Sequence, residues 1–284
     1  MDTQNVWFVT GASKGLGLSL VKQLLNGGYA VAATSRNLND LRRAVGTRSD
    51  NFLPLAVDLT TESSVAEAIE KTVAHFGKID VVVNNAGYGL LGSLEELTDE
   101  EARENFEVNV FGSLNVIRKV LPYLRQQQSG HIFNISSIAG FTGAFPGFGI
   151  YCATKFAVEG FSESLSEEVK PFGIHVTLVE PGYFRTEFLT SGSLGVPQNQ
   201  LEAYQAVRNL QQAHQQQING NQPGDPEKAG AALIRVASEA NPPLHLFLGQ
   251  DAYVLAHQKI EAVRNELETW KALSISTGFE TPTV

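Results

Sequence analysis

One stretch near the start of the chain decides the fold: Val6-Trp7-Phe8-Val9-Thr10-Gly11-Ala12-Ser13-Lys14-Gly15-Leu16-Gly17. The apolar run predicts a buried strand, and the leucines at 16, 20 and 24 follow the glycine turn at helical spacing. Unpaired N–H groups and the helix dipole at such a turn favour a phosphate. Glycine turns also serve only to join a strand to a helix, but the strand–turn–helix context favours nucleotide binding.

The same alternation of short apolar runs and helical patterns continues along the chain. Parallel strands need crossover connections, so this pattern predicts an α/β fold, a doubly wound parallel sheet of about seven strands with helices on both faces. The strands are predicted at 6–9, 29–34, 52–57, 79–83, 131–135, 174–179 and 244–248. Helical segments are predicted to begin near residues 16 and 65 and to cover 99–127, 151–170 and 226–240.

One domain over residues 1–284 is sufficient for this pattern. The residue composition changes near residue 188, and residues 198–222 contain nine glutamines. We interpret 188–225 as a substrate-loop insertion with a helix at about 199–217, and a simple solvated loop is the alternative. Residues 250–284 form a C-terminal extension.

Composition excludes several classes of protein. The 284 residues carry a formal net charge of −9, which argues against a nucleic-acid partner. The N-terminus lacks a signal-peptide pattern, and no apolar stretch is long enough to span a membrane. A single cysteine, Cys152, excludes an internal disulfide and fits a cytoplasmic protein; we interpret it as helix packing. The histidines have no metal-ligand spacing, so no metal is expected; they are at 75, 131, 175, 214, 245 and 257.

Charges after the first two strands indicate which dinucleotide the turn would bind. A carboxylate after the second strand accepts the ribose hydroxyls of NAD, whereas an arginine accommodates the 2′-phosphate of NADP. Here that strand ends in Arg36, no acidic residue is in the turn, and Lys14 adds a second cation. Two solvated surface cations are the alternative, but the arrangement favours NADP(H) over NAD(H). Asp58, after the third strand, is a candidate adenine contact.

The strongest chemical signal is the spacing of Ser137, Tyr151 and Lys155. A separation of four residues places Tyr151 and Lys155 on one helix face. A nearby ammonium would lower the tyrosine pKa and make the phenol a usable proton donor and acceptor. A surface tyrosine stacked on a lysine stem is the alternative for this pair alone.

Taken together, the motifs resemble the short-chain dehydrogenase/reductase family over roughly residues 4–190. The matching features are the turn from Thr10 to Gly17, Asp58, Asn84-Asn85-Ala86-Gly87, Asn109, Ser136-Ser137, Tyr151 with Lys155, and Pro181-Gly182. The resemblance implies a Rossmann fold and an enzyme in which hydride passes directly between the nicotinamide cofactor and the substrate carbon.

The resemblance also implies residue roles. Tyr151 is the expected general acid in reduction and general base in oxidation, and Ser137, rather than Ser136, would bond the substrate oxygen. Lys155 would hold the nicotinamide ribose, and Asn109 would position a water that links Lys155 to solvent. The expected cofactor-binding residues are Gly11, Ser13, Lys14, Gly15, Leu16, Gly17, Arg36, Asp58, Asn85, Ala86, Gly87, Tyr151, Lys155, Pro181, Gly182 and Thr186.

The end of the chain departs from the family's common pattern. Many members end in a glycine-pair strand that helps to build a tetramer, which is missing here, so a monomer or homodimer is expected. A terminal amphipathic helix would cover the sheet edge or part of the pocket; its apolar residues are Val254, Leu255, Ile260, Val263 and Leu267. This ending is more similar to the hydroxysteroid and retinol dehydrogenase-like branch than to ketoacyl reductases.

The segments expected to frame the pocket are apolar and aromatic, which favours a lipophilic or aryl ketone, or the matching alcohol. They carry Tyr88, Leu90, Leu91, Phe141, Phe145, Phe148, Tyr183, Phe184 and Phe188. The leading hypothesis is an NADP(H)-dependent carbonyl reductase or alcohol dehydrogenase working in the reductive direction. A silent NADP(H)-binding sensor of the same fold is the second, and epimerase or dehydratase chemistry on sugar nucleotides is the third.

Overall fold

The computed structural model describes residues 5–190 and 192–279. Ser191, within the predicted change of composition, and both chain ends lie outside the described residues. The strands are β1 (Val6–Val9), β2 (Ala30–Ser35), β3 (Phe52–Ala56), β4 (Val81–Asn84), β5 (Gly89–Leu90), β6 (Gly130–Ile135), β7 (Ile174–Pro181), β8 (Leu194–Gly195) and β9 (His245–Leu248). The α-helices are α1 (Gly15–Asn26), α2 (Leu38–Val45), α3 (Glu62–Phe76), α4 (Asp99–Phe106), α5 (Gly112–Gln127), α6 (Ile138–Phe141), α7 (Gly149–Val169), α8 (Gln205–Ala213), α9 (Pro226–Val236) and α10 (Gln250–Ile275).

Seven strands form one parallel sheet in the order β3-β2-β1-β4-β6-β7-β9. The chain starts in the middle, winds outward to β3, and then returns to build the other half. This confirms the predicted doubly wound α/β fold. The order reverses between β1 and β4, and a cleft opens there at the carboxyl ends of the strands.

Two apolar cores hold the layers together. Residues of α3, α5 and α7 pack on one face of the sheet, among them Val65, Val120 and Leu165. Residues of α1, α2 and α9 pack on the other face. The central strands are buried on both faces, which explains their continuous apolar character.

The helical region predicted at 99–127 is interrupted. Helices α4 and α5 are separated by a π-helix, Glu107–Phe111, in which hydrogen bonds run to the fifth residue. The helix predicted at 199–217 is a 3₁₀ turn (Glu202–Tyr204), α8 and a second π-helix, His214–Ile218. Such widened turns occur often at functional sites.

The C-terminal helix corrects one expectation. Only the start of α10 packs on the fold, where Ala252 and Ala256 are buried against Ile138, Phe141 and Phe247. From His257 to the end of the described region every residue is exposed. The remainder of the helix therefore projects from the fold and does not cover the sheet edge, because its apolar residues beyond Ala256 have no counterpart on the body. Among the described residues, no helix combines the length and apolarity that a bilayer crossing requires.

Candidate functional site

A cleft of about 1340 Å³ lies over the carboxyl ends of the central strands. Of the predicted catalytic and cofactor-binding residues, all but Gly17 and Asn109 line it. Those two are buried directly behind the wall. The fold thus brings together residues that are up to 175 positions apart, from Gly11 to Thr186.

The glycine turn between β1 and α1 is packed so closely that side chains are excluded. A Cβ on Gly11 would lie 2.7 Å from the Cα of Ala86, and one on Gly17 would lie 2.5 Å from the Asn85 Nδ2. Asn85 donates from this nitrogen to the carbonyls of Thr10 (2.9 Å) and Gly11 (3.1 Å). The loop after β4 therefore fixes the shape of the turn after β1.

The N-terminus of α1 faces the cleft without a side-chain cap. Lys14 occupies the N-cap position, its side chain accepts no hydrogen bond from the first turn, and that turn contains no acidic residue. Such an end offers N–H groups and a positive dipole to an anion. The Cβ of Thr186 would lie 3.7 Å from a Cβ built on Gly15, so the segment after β7 covers the same turn. This cradle has the space and the donors that a dinucleotide pyrophosphate requires.

Both predicted cations line the cleft, Arg36 after β2 and Lys14 in the turn after β1. Arg36 is exposed. The pKa of Asp58 is lowered mainly by hydrogen bonds from Thr60, and the positive charge of Arg36 contributes to the same shift. The Asp58 carboxylate accepts from the Thr60 N–H (3.0 Å) and Oγ1 (2.7 Å). Lys14 donates to the Gly192 carbonyl at 2.8 Å and so joins the glycine turn to the loop that follows β7.

Tyr151 and Lys155 share one face of α7 at the floor of the cleft. The Lys155 Nζ lies 5.8 Å from the centroid of the Tyr151 ring and donates to the Ile135 carbonyl at 2.8 Å. Both side chains are buried. Ser137 caps α6 by accepting from the Ala139 N–H at 3.1 Å. Its hydroxyl lies beside the Tyr151 phenol and acts to lower the pKa of that phenol. These three residues lie together, and Tyr151 and Lys155 share a helix face as their spacing predicted.

The pKa of Tyr151 differs from the prediction. Burial raises the pKa of the phenol above its usual value, and the Ser137 hydroxyl only partly opposes this. Burial lowers the pKa of Lys155 to about 8, although the Glu159 carboxylate opposes the shift. The Tyr151 pKa is therefore raised rather than lowered as predicted, because burial dominates and the Lys155 ammonium is directed at the Ile135 carbonyl.

Asn109 lies in the π-helix between α4 and α5, and both ends of its amide are hydrogen-bonded. Its Oδ1 accepts from the Tyr88 N–H at 3.0 Å, and its Nδ2 donates to the Tyr88 carbonyl (3.0 Å) and the Thr154 Oγ1 (3.1 Å). A Cβ on Gly87 would lie 3.0 Å from the Asn109 Oδ1 and 3.7 Å from the Lys155 Nζ. Gly87 therefore separates Asn109 from Lys155, and the Asn109 side chain has no donor left for a water.

The substrate half of the cleft is aromatic, but three of the residues predicted to line it lie elsewhere. Of the predicted residues, those that line the cleft are Tyr88, Phe145, Phe148, Tyr183, Phe184 and Phe188. Leu91 is instead buried in the core beneath, Leu90 lies in the small ladder of β5 with β8, and Phe141 packs against α10. Strand pairing and packing under the loops, rather than the cleft, hold these three.

The segment after β7 is anchored to the body by a buried ion pair. The Arg208 Nη2 lies 2.7 Å from the Glu96 Oε2, and the Leu201 N–H donates to the Glu96 Oε1 at 2.9 Å. Burial would raise the pKa of Glu96, but hydrogen bonds from Leu201 and Ser93 and the Arg208 charge lower it overall. The anchoring role of this glutamate was not predicted, because Leu201 and Arg208 are more than 100 positions away in sequence.

Further polar residues escaped the sequence reasoning. The Asp251 Oδ2 accepts from the Tyr183 N–H at 2.7 Å and fixes the turn after β7. Glu159, Glu180 and His245 bring carboxylate and imidazole atoms within 4.8 Å of one another behind the cleft. Each lies on a different element, so sequence spacing gives no signal for the cluster.

Cys152 is buried in the apolar core beneath the substrate half, and burial raises its thiol pKa to about 11, as expected for a packing residue.

A doubly wound sheet with a glycine turn and a Tyr–Lys pair at one cleft is typical of a dehydrogenase of the short-chain type. The profile of the short chain dehydrogenase family matches residues 5–194. This chain belongs to that family, and it is an oxidoreductase.

Two curated relatives are similar over most of the chain. Oxidoreductase BOA17 of Botryotinia fuckeliana is 38% identical over 96% of this chain and 99% of its own length. The 3-ketodihydrosphingosine reductase of Bacteroides thetaiotaomicron is 39% identical over 87% of this chain and 88% of its own.

Solved structures of short-chain dehydrogenases and reductases are also similar to this chain. A short-chain dehydrogenase from Streptomyces avermitilis superimposes with a TM-score of 0.89 at 37% identity, covering 98% of this chain and 100% of the other. A Brucella melitensis 3-ketoacyl-(acyl-carrier-protein) reductase complexed with NADH has a TM-score of 0.72 at 26% identity, covering 86% and 96%. ElxO with NADP bound has a TM-score of 0.70 at 26% identity, with the same coverage.

Proposed function

We propose that this chain is an NADP(H)-dependent oxidoreductase that interconverts a ketone or aldehyde and an alcohol, with Tyr151 as general acid and base. One observation carries the proposal: Tyr151 and Lys155 lie in the same cleft as the uncapped glycine turn. A cofactor held by that turn and a carbonyl held at Tyr151 would share one cavity. Reduction is the proposed physiological direction.

The cofactor site rests on the glycine cradle and on charge. The turn from Gly11 to Gly17 would hold the pyrophosphate and Thr186 would cover it, while Asn85 supports the turn from below. Arg36 and Lys14 favour the 2′-phosphate of NADP. Among related structures, one is complexed with NADH and one has NADP bound, so similarity to them does not distinguish NADP(H) from NAD(H). When bound, the cofactor supplies hydride to the substrate carbon.

The remaining proposed cofactor contacts complete the cleft wall. Asp58 would contact the adenine, and Lys155 would hold the nicotinamide ribose. The backbone from Asn85 to Gly87 and that of Pro181 and Gly182 border the nicotinamide half, all of them on the cleft lining.

The protein's part in the chemistry is proton transfer. Burial keeps the Tyr151 phenol protonated, which is the form that donates to a carbonyl oxygen as hydride arrives at the carbon. Ser137 hydrogen-bonds the same oxygen. Lys155, whose pKa is lowered to about 8, can return a proton near neutral pH. The Asn109 Nδ2 donates to Tyr88 and Thr154, so a water that connects Lys155 to solvent would have to donate to Asn109 rather than accept from its side chain.

The substrate is proposed to be lipophilic or aromatic, because aromatic rings dominate the half of the cleft beyond Tyr151. Residues 188–225 act as the substrate loop within a single Rossmann-type domain over 1–284, and 250–284 are a C-terminal extension. A cytoplasmic location stays a prediction from the sequence.

We further propose a homodimer formed through α10. A row of apolar residues at alternating spacings of three and four runs along its projecting part, including Ile260 (48% exposed), Val263 (37%), Leu267 (63%) and Trp270 (60%). This is the heptad pattern of a two-helix seam, and a second copy supplies the matching row. Lys259 and Glu266 flank the row on one side and would pair across an antiparallel seam. Light scattering should give a dimer that becomes a monomer when the chain ends at residue 258.

Oxidation of NADPH and of NADH, followed at the nicotinamide absorbance, tests the proposed activity. The panel comprises aryl ketones, steroids, retinal, diketones and short aldehydes, and Tyr151→Phe is the blank. NADPH-dependent turnover that is lost in the variant supports the proposal. NADPH binding without turnover of any compound would instead favour the sensor.

A further inference from the structure

Tyr183 and His214 form a hydrogen-bonded pair in the aromatic half of the cleft. The Tyr183 Oη lies 2.8 Å from the His214 Nε2, and both residues line the cavity. Tyr183 follows β7, whereas His214 is in the π-helix of the substrate loop. Phe145, Phe148, Phe184 and Phe188 line the same cleft, so the pair adds polar atoms to a largely aromatic wall.

The hydrogen bonds of His214 fix the direction of this pair. The His214 Nδ1 lies 2.8 Å from the Leu210 carbonyl, which can only accept, so Nδ1 carries a proton. In the neutral imidazole Nε2 is then an acceptor, and the Tyr183 hydroxyl must donate to it. The lone pairs of the Tyr183 oxygen remain to accept a hydrogen bond from a molecule in the cleft.

Gln222 places a donor on the same side of the cleft. It is 1% exposed and lines the cavity, and its Oε1 accepts from the Gly220 N–H at 2.8 Å. The amide is therefore oriented, and its Nε2 has no hydrogen-bond partner among the described residues. The Arg185 guanidinium holds the Gln222 carbonyl through two bonds of 3.2 and 3.1 Å.

Backbone bonds bring the two segments side by side. The Gly224 N–H donates to the Tyr183 carbonyl at 2.9 Å, and the Arg185 N–H donates to the Gly224 carbonyl at 2.9 Å. Tyr183 and Gln222 are thus on adjacent stretches of chain. The Phe148 ring connects this region to the catalytic tyrosine, with its centroid 6.1 Å from Tyr151 and 5.3 Å from His214.

We propose, on the basis of the function proposed above, that Tyr183, His214 and Gln222 bind a second oxygen of the substrate. The ligand class is a ketone that carries a hydroxyl group, a hydroxyketone. A hydroxyl is one donor and an acceptor, so it can donate to the Tyr183 oxygen and accept from the Gln222 amide. His214 is a positioning residue that fixes the Tyr183 proton.

The preference should be large because the amide otherwise stays unpaired. A site built to hydrogen-bond a substrate hydroxyl rejects the analogue without it, since buried polar groups are then left unsatisfied. We expect kcat/KM for the best hydroxyketone to exceed that of its deoxy partner by about tenfold or more.

The test compares matched pairs of aryl ketones with NADPH. Each pair is a ketone with a hydroxyl one, two or three carbons from the carbonyl, and the same ketone without it. Tyr183→Phe and Gln222→Leu should bring the kcat/KM ratio of the preferred pair close to one. Tyr204→Phe is the matched control, because its hydroxyl donates to Glu95 at 2.6 Å outside the cleft lining, and it should keep the wild-type ratio. Thermal unfolding confirms that each variant is folded.

The outcomes separate the two proposals. Wild-type turnover of both members of every pair at equal kcat/KM, or an unchanged ratio in folded Tyr183→Phe, would overturn the second-oxygen site and leave the reductase standing. No turnover of any ketone by the wild type would count against the proposed function itself.

Discussion

The carboxylates behind the cleft should make the stability of this protein fall as the pH rises. Burial raises the pKa of Glu159 to about 7, with Glu180 and Glu163 adding to the shift and Ser136 and His245 opposing it. Burial likewise raises the pKa of Glu180 to about 8, although the Leu246 N–H partly opposes this. The groups around Glu159 are thus carboxylates on α7 and β7, an imidazole on β9 and the Lys155 ammonium one turn away.

The sign follows from proton binding. In the unfolded chain Glu159 releases its proton near pH 4.5, whereas the native state keeps it until about pH 7. Between these values the native state holds more protons, so the free energy of unfolding decreases as the pH rises. The stabilisation is fully present below pH 4.5 and is lost once the pH passes about 7. The raised pKa corresponds to roughly 3 kcal/mol.

Glu159→Gln isolates this contribution, because glutamine resembles the protonated acid at every pH. Urea unfolding of both proteins is measured at pH 5 and at pH 8.5. We expect nearly equal unfolding free energies at pH 5 and a variant that is more stable by roughly 3 kcal/mol at pH 8.5. Glu167→Gln is the matched control on the same helix, since its side chain is 75% exposed, and its difference from wild type should be the same at both pH values. A Glu159→Gln difference that is independent of pH would refute the reasoning.

Three further predictions concern the turn, the cofactor and the loop. Gly17→Ala places a Cβ 2.5 Å from the Asn85 Nδ2, so it should lower the free energy of unfolding by about 1–3 kcal/mol and weaken NADPH binding, as measured by urea unfolding and fluorescence titration. Arg36→Asp should reduce the preference for NADPH over NADH in kcat/KM; an unchanged ratio would assign the phosphate to another cation. Glu96→Gln removes the negative charge that pairs with the largely buried Arg208, so limited proteolysis should cut the substrate loop faster and KM should rise more than kcat falls. Equal proteolysis of the variant and the wild type would contradict the anchoring role.

The parts of the fold that follow local patterns were predictable. Strands buried on both faces give continuous apolar runs, and a parallel sheet requires the helices between them. Tyr151 and Lys155 were found together because four residues make about one helical turn. The glycine turn was found because each glycine position there excludes a side chain or requires positive φ, as at Gly11 and Gly15.

The rest depended on contacts between distant segments. Periodicity does not distinguish an α-helix from the π-helix around Asn109, where a single widened turn interrupts the pattern. The Tyr183–His214 pair spans 31 positions and exists only because the substrate loop folds back over β7. The raised pKa of Tyr151 likewise follows from burial, which spacing along a helix does not reveal.

The C-terminal helix illustrates a different limit. Its apolar residues correctly predicted an amphipathic helix. An apolar face indicates that the helix packs against something, but it does not identify the packing partner. Val263 and Leu267 meet solvent in the isolated chain. Whether such a face packs on its own body or on a second copy depends on the direction in which the helix leaves the fold.

Transfer of labelled hydride tests the central claim most directly. NADPH deuterated at C4, prepared separately in each of its two stereochemical forms, is incubated with the enzyme and a ketone that it consumes. Our account predicts that one form, and only one, gives an alcohol with deuterium on the carbinol carbon, and that Tyr151→Phe still binds NADPH but gives at least about a hundredfold less product. An alcohol without deuterium from both forms, or full turnover by Tyr151→Phe, would contradict it.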